Sequence, residues 1–209
     1  MRLLDFVSAF RLPPANVSDF GILKVAFLVA AVDGKITDEE LHVYELMSRR
    51  CRGYTKKRAT DALEEAVQTA GNLILKTDSL SEKDFVSAFV AAADSALPDG
   101  FFNFSVVDIR RAIVTWVVMG MSDGDYSRRE RLCIEALRSR FAERKAQKLR
   151  QRAAESGSLS AAYDTAFVVQ DEESGEVSDR FVDEVVAIIN RLGDTAEAEA
   201  ALKDLIAHK

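Results

Sequence analysis

One eight-residue pattern occurs twice in this chain, and each copy directly follows a segment that is apolar on nearly every side of a helix. The first copy, DGKITDEE, spans Asp33 to Glu40, and the second, DGDYSRRE, spans Asp123 to Glu130, at an offset of 90 residues. Both copies read D-G-x-[apolar]-[ST]-x-x-E, and both lead into an amphipathic segment. This arrangement predicts two related helix-loop-helix units within one chain.

The remaining sequence predicts an all-α fold, a helical bundle of about eight to nine helices. Apolar residues recur at helical spacing, prolines occur only at positions 13, 14 and 98, and β-branched residues do not alternate as they would in strands. The predicted helices are Val17 to Val32, Thr37 to Cys51, Thr55 to Lys76, Ser81 to Leu97, Ser105 to Met121, Ser127 to Ala154, Ser158 to Val169, Ser178 to Leu192 and Thr195 to Ala207.

Two of these segments should lie at the centre of the bundle, because Val25 to Val32 and Ile113 to Met119 are apolar almost all round. A Pro-Asp-Gly loop at residues 98–100 divides the chain into a first half, 1–97, and a second half, 98–209. The second half includes a basic and then an acidic C-terminal extension. Apolar residues follow the loop, so we expect the pseudo-symmetric halves to form one compact unit.

Most of the repeated pattern has a structural explanation as a helix corner. The glycine suits the left-handed position that ends a helix, the Ser or Thr suits the N-cap of the next one, and the final Glu falls at the third helical position, where it completes a capping box. These residues are Gly34, Thr37 and Glu40 in the first copy and Gly124, Ser127 and Glu130 in the second.

The aspartates that open each copy fit this explanation less well. Asp33 and Asp123 fall at the C-terminal end of a helix, where the helix dipole disfavours a carboxylate. A cation would compensate them, and two related loops could bring Asp33, Glu40, Asp123 and Glu130 to one place. The sequence therefore predicts a divalent-metal site formed by these four carboxylates, without specifying the ion.

An EF-hand calcium loop is excluded as the form of this site. Asp33 to Glu40 matches the second half of such a loop, but the first half requires oxygen ligands at its first and third positions. The residues there are Val29 and Ala31 in one copy and Met119 and Met121 in the other. None of them carries a carboxylate.

The duplicated motif after an apolar helix resembles the TerB-like family of tellurite-resistance proteins, which is related to helical domains of DjlA-type co-chaperones. The resemblance covers Val17 to Cys51 and Ser105 to Phe141 best. It implies a pseudo-twofold helical fold, paired acidic residues that bind a divalent cation, and a role in stress responses beside membrane-associated partners. It implies no catalysis. The chain departs from the family pattern by placing Arg128 and Arg129 next to Glu130, which puts symmetric ion binding in doubt.

Charge and composition narrow the choice of partner and compartment. A net charge of -6 argues against general nucleic-acid binding. No apolar run approaches the roughly 20 residues that cross a bilayer, and Cys51 and Cys133 lack a disulfide-like or metal-like spacing. We therefore expect a cytoplasmic protein without a transmembrane segment.

The charge is also unevenly distributed along the second half. Arg128 to Arg152 contains ten basic and three acidic residues, whereas Asp164 to Asp204 contains twelve acidic and three basic residues. These stretches are either solvated helix faces that attract each other or, for Arg138 to Arg152, a docking surface for an acidic partner.

Three functions remain open from the sequence. The first is a non-enzymatic TerB-like binding or scaffold protein of the stress response, with a protein partner and a divalent-metal site. The second is a metal-dependent enzyme acting on phosphate-containing substrates, in which the carboxylates would hold the ion. The third is a structural adaptor whose acidic loops only cap helices. The sequence contains no motif typical of nucleophilic hydrolysis, nucleotide binding or zinc proteolysis, and it indicates no catalytic residue.

Overall fold

A computed structural model describes residues 19–77, 79–97, 105–156, 180–190 and 195–208. All regular secondary structure in these ranges is helical, which confirms the predicted all-α fold. The helices are α1 (Asp19–Ala30), α2 (Asp38–Ser48), α3 (Lys56–Thr77), α4 (Glu82–Ala96), α5 (Val106–Gly120), α6 (Arg128–Ser156), α7 (Phe181–Asn190) and α8 (Thr195–His208), with a short 3-10 turn (Ala31–Asp33) after α1.

Helices α1 and α5 form the centre of the bundle, as their apolar sequences predict. Every residue of α5 from Asp108 to Gly120 is buried, and in α1 ten of the twelve residues are buried. The two helices pack against each other. The indole N–H of Trp116 on α5 donates a hydrogen bond of 3.1 Å to the carbonyl oxygen of Ile22 on α1. This bond satisfies the only polar atom of a large aromatic side chain that is 1% exposed.

The other described helices surround this pair. Helices α2, α3, α4 and α6 pack against α1, while α2, α6, α7 and α8 pack against α5. One continuous cluster of buried apolar side chains runs through the bundle and includes residues from both sides of the segment at 98–104. The predicted boundary at 98–100 and the apolar residues that follow it lie outside the described residues, as does the predicted helix Ser158 to Val169.

Side-chain caps fix where several helices begin. The Ser81 hydroxyl accepts a hydrogen bond from the backbone N–H of Asp84, and the Ser105 hydroxyl accepts one from Asp108, both at 3.2 Å. The Asp108 carboxylate in turn accepts the N–H of Ser105 at 3.1 Å, which completes a capping box. The predicted starts at these two serines are therefore confirmed.

Helix α6 is long enough to extend past the core. Its 29 residues span about 43 Å at 1.5 Å per residue. Among its described side chains the last buried one is that of Phe141, and those beyond Ala142 are exposed. None of the helices in the described ranges is both long and apolar enough to cross a membrane.

The stretch Arg138 to Arg152, which the sequence indicates as either a solvated helix face or a docking surface, lies on this helix. Arg138 pairs with Glu135 at 3.0 Å, and Arg140 pairs with Asp94 of α4 at 3.4 Å, so its first two basic residues make contacts within the protein. Arg150 is exposed. The side chains of Arg144, Lys145, Lys148 and Arg152 lie outside the described residues.

We expect Trp116→Phe to lower the free energy of unfolding by about 1–3 kcal/mol. The substitution removes the hydrogen bond to Ile22 and leaves the smaller ring short of neighbours in a close-packed core. Urea unfolding followed by far-UV circular dichroism measures the change, because Trp116 is the only tryptophan and the variant has no indole fluorescence. An unchanged free energy of unfolding would mean that α1 and α5 do not depend on this contact.

Candidate metal centre

The two Asp-Gly loops have the same backbone conformation. Gly34 and Gly124 both adopt left-handed dihedrals, with φ of 89° and 91°. Each glycine N–H donates to the carbonyl oxygen three residues earlier, on Ala31 and Met121, at 3.1 Å in both loops. Residues other than glycine rarely adopt this φ, so the glycine of the repeated pattern is required by the turn.

A capping box follows each glycine, as the sequence predicts. The backbone N–H of Glu40 donates to the Thr37 hydroxyl at 3.2 Å, and the N–H of Thr37 donates to Glu40 Oε2 at 2.5 Å. Ser127 and Glu130 make the same two bonds with the same two distances. Both glutamates are only 3% exposed. Each is therefore held in place by the start of the helix that it caps.

The aspartates have a structural partner that the sequence analysis did not assign. Asp33 Oδ1 accepts the N–H of Lys35 at 2.8 Å, and Asp123 Oδ1 accepts the N–H of Asp125 at 2.9 Å. Asn and Asp commonly stabilise turns by such bonds to the residue two positions on. Both aspartates are exposed, so each presents its carboxylate to solvent at the surface of its loop.

Electrostatic coupling links the two loops. Burial raises the pKa of Glu40 and raises the pKa of Glu130 to about 8, against the lowering effect of their hydrogen bonds to Thr37 and Ser127. The charges of both Asp33 and Asp123 raise the two pKa values further. Each glutamate thus responds to the aspartate of the opposite loop as well as to its own. The fold therefore brings the four carboxylates into one electrostatic neighbourhood.

The surroundings of Glu130 differ in detail from those of Glu40. A Cβ atom built on Gly120 would lie 3.0 Å from Glu130 Oε1 and 3.6 Å from the ring of Tyr126. The absence of a side chain on Gly120 therefore lets the carboxylate pack directly against helix α5. In the first loop the matching position is Ala30, and the position of Tyr126 is taken by Ile36, which is 40% exposed.

The arginines beside Glu130 are directed towards helix α4. Arg128 pairs with Glu82 at 3.2 Å, and the guanidinium of Arg129 lies 5.6 Å from the centre of the Phe85 ring. Both contacts are made with α4, whose first turn contains these partners. Both arginines beside Glu130 are thus accommodated by a neighbouring helix.

The four carboxylates do not form a closed shell of metal ligands in this structure. Within the described ranges, no three or more side chains of His, Cys, Asp or Glu come close enough together to hold an ion. In this arrangement one oxygen of each carboxylate accepts a backbone hydrogen bond of its own loop. The four predicted residues share a region, and their side chains are organised by the loops themselves.

Sequence reasoning passed over a second group of buried charges, at the opposite end of the central helices. Arg110 and Arg111 are 7% and 4% exposed on α5. Arg110 Nη1 donates to the carbonyl oxygen of Ile206 at 3.1 Å, and the charge of Asp19, at the start of α1, acts on Arg111. The signal in the sequence for this group was the pair of adjacent arginines directly before the apolar run of α5.

Comparison of the chain with protein-family models, with curated proteins and with solved structures finds no match.

We expect Glu130→Gln to flatten the pH dependence of stability. The folded-state pKa of about 8 lies above the unfolded value of 4.5, so ionisation of this group increasingly destabilises the fold as pH rises from about 4.5 through 8. Gln keeps an acceptor for the Ser127 N–H and carries no charge. At pH 9 the free energy of unfolding of the variant should therefore exceed that of the wild type by on the order of a few kcal/mol. At pH 5 the difference should be much smaller.

Chemical denaturation across this pH range, in chelator so that no ion contributes, measures the difference. Glu39→Gln is the control, because Glu39 is exposed in the same region and should leave the pH profile unchanged. Identical profiles for wild type and Glu130→Gln would show that Glu130 ionises in the folded protein as it does in water.

Proposed function

We propose that this protein is a non-enzymatic, TerB-like binding or scaffold protein whose two Asp-Gly loops bind one divalent cation. The ligands that we assign are Asp33, Glu40, Asp123 and Glu130. The observation that carries the proposal is the coupling across the loops: the charges of both aspartates act on both buried glutamates. A single cation between the loops would offset the charges of all four carboxylates, and it would have to draw their oxygens together, because no three of these side chains are close enough to hold an ion in this structure.

The chemistry of the donor set supports a hard cation. Four carboxylates offer only oxygen, which suits Mg²⁺, Ca²⁺ or Mn²⁺ better than a soft metal. In each of these carboxylates, the second oxygen accepts no hydrogen bond from the described residues. Those oxygens could bind an ion while the first oxygens keep the loops in shape.

The cellular role in this proposal follows from the resemblance of the duplicated motif to the TerB-like family. We infer a cytoplasmic protein of the stress response with a protein partner, which the family would place at a membrane. The buried carboxylates support a role for the ion in this recognition, because an ion that binds them would change both the charge and the rigidity of the loop surface.

We expect a binding ion to raise the thermal midpoint of the chelator-stripped wild type, because a ligand that binds only the folded state stabilises it. The Asp33→Asn/Asp123→Asn double variant should lose most of this rise. Asn can still accept the hydrogen bonds of Lys35 and Asp125, so the loops should keep their shape. Differential scanning fluorimetry with Ca²⁺, Mg²⁺, Mn²⁺ and Zn²⁺, each at millimolar concentration, measures the shift.

Two controls separate ion binding from loop stability. Asp38→Asn/Asp125→Asn makes the same change of charge on exposed residues in or next to the same loops and should retain the ion response. Thr37→Ala should cost about 1 kcal/mol through the lost cap while also retaining the response. If no ion raises the midpoint of the wild type, the repeated loops are helix corners only and the proposal is wrong.

A further inference from the structure

A stretch of concentrated positive charge lies at the end of the bundle opposite the Asp-Gly loops. The ten residues from Arg49 to Arg58, which join α2 to α3, contain six basic and no acidic residues. Nine of the ten are exposed, and Cys51 is half-buried. We call this stretch the basic turn. Its positively charged members are Arg49, Arg50, Arg52, Lys56, Lys57 and Arg58.

Contacts with the start of α1 fix the position of the basic turn. The backbone N–H of Arg52 donates to Asp19 Oδ2 at 2.9 Å, and the guanidinium of Arg58 lies 5.0 Å from the centre of the Phe20 ring. Gly53 adopts a left-handed φ of 67°, and a Cβ atom there would lie 2.9 Å from Arg58 Nη1. The basic turn is therefore attached to the core on both sides of Gly53.

Local electrostatics increase the positive potential of the basic turn. Lys56, Lys57 and Arg58 occupy the first positions of α3, and the first turn of this helix contains no acidic residue. The helix dipole is positive there and favours acidic side chains. Glu45 pairs with Arg49 at 2.5 Å, which leaves an excess of positive charge. A bound anion would offset this excess.

Exposed acidic side chains are concentrated at the other end of the central helices. Helix α1 alone spans 12 residues between the two ends, or about 18 Å, whereas salt screens exposed charges beyond about 8 Å at physiological ionic strength. The net charge of -6 averages over both ends and does not describe the basic turn. The exposed acids in or next to the loops are Asp33, Asp38, Glu39, Asp123 and Asp125.

Helix α6 adds positive charge at the same end as the basic turn. It begins after the second Asp-Gly loop and packs against α5, and its Arg140 pairs with Asp94 near the end of α4. Because α6 has 29 residues and α5 has 15, the last turns of α6 extend past the start of α5. Residues 142–156 contain five basic and two acidic residues, and Leu149 is their only large apolar residue.

The composition of this end distinguishes among anionic partners. A protein interface has an apolar core, and a helix that lies on a membrane has an apolar face, which residues 142–156 lack in sequence. Nucleic-acid interfaces are polar and strongly positive. The basic turn also exposes one aromatic side chain, Tyr54, which is 39% exposed. Basic side chains around an exposed ring suit a single strand, whose phosphates attract cations and whose bases stack on aromatic rings.

We propose that the basic turn binds single-stranded nucleic acid. Arg52, Lys56 and Lys57 contact the phosphates, and Tyr54 stacks on a base. This inference is independent of the metal site, because it concerns the other end of the bundle and is tested in the presence of chelator.

The first experiment titrates a fluorescently labelled oligothymidylate of about ten nucleotides with the full-length chain, and fluorescence anisotropy measures the affinity. We expect saturable binding that weakens steeply as the salt concentration rises, because phosphate contacts release counterions. No saturable binding at low salt would overturn the proposal.

A matched pair of double variants separates the basic turn from net charge. Lys56→Gln/Lys57→Gln should bind the strand about fivefold more weakly than the wild type, or weaker still, because two phosphate contacts are lost. Lys35→Gln/Lys83→Gln removes the same charge from exposed residues at the Asp-Gly loop end and should bind as the wild type does. Equal weakening in both variants would reduce the effect to net charge and contradict the assignment.

The role of Tyr54 is tested from both partners. Tyr54→Ala should weaken binding by about fivefold or more, whereas Tyr54→Phe keeps the ring and should bind as the wild type does. A strand of abasic sites with the same length should bind the wild type about as weakly as the normal strand binds Tyr54→Ala. This second comparison does not depend on how a variant folds. An abasic strand that binds as tightly as the normal strand would rule out the stacked base.

Competition experiments test the class of partner. The unlabelled strand should displace the labelled one at a lower concentration of negative charge than a polyglutamate peptide or vesicles of phosphatidylserine and phosphatidylcholine. Stronger displacement by the peptide or the vesicles would contradict the choice of nucleic acid. Tighter binding of a DNA duplex of the same length would contradict the choice of a single strand.

Discussion

The mutual burial of α1 and α5 is the constraint on which the rest of the structure depends. Asp19 acts on Arg111, Ile22 is bonded to Trp116, and Asp33 acts on Glu130. These contacts advance in the same direction along both helices, so the two helices run parallel. Both helix starts then lie at one end of the bundle and both Asp-Gly loops at the other. Two helices that are apolar on nearly every side bury part of their surface against each other and the rest against the helices that surround them.

This parallel arrangement gives the two ends opposite electrostatic character. At one end, two helices terminate and two glutamates are buried with aspartates above them. At the other end, two helices begin and a guanidinium is buried without a hydrogen-bonded partner at Nε or Nη1. Burial raises the pKa of the acids and lowers the pKa of the base, so both ends store unfavourable charge.

The loops also show why a structural and a functional explanation of one motif are compatible. Gly34, Thr37 and Glu40 are each needed for the turn and the cap, and the Asp33 bond to Lys35 supports the same turn. These bonds use one oxygen of each carboxylate. A motif of this kind organises its own backbone, while the second oxygen of each carboxylate accepts no hydrogen bond from the described residues.

The sequence alone determined the all-α fold, the two central helices and the local geometry of both loops, because helical periodicity, left-handed glycine and capping boxes depend on residues within a few positions of one another. Tertiary structure alone decided which distant groups meet. The coupling of Asp33 to Glu130, the packing of Glu130 on Gly120, and the turning of Arg128 and Arg129 towards α4 all depend on how helices are placed side by side. The burial of Arg111 near Asp19 likewise depends on how α1 and α5 are placed side by side. Such contacts join residues far apart in the chain, and no short-range pattern encodes them.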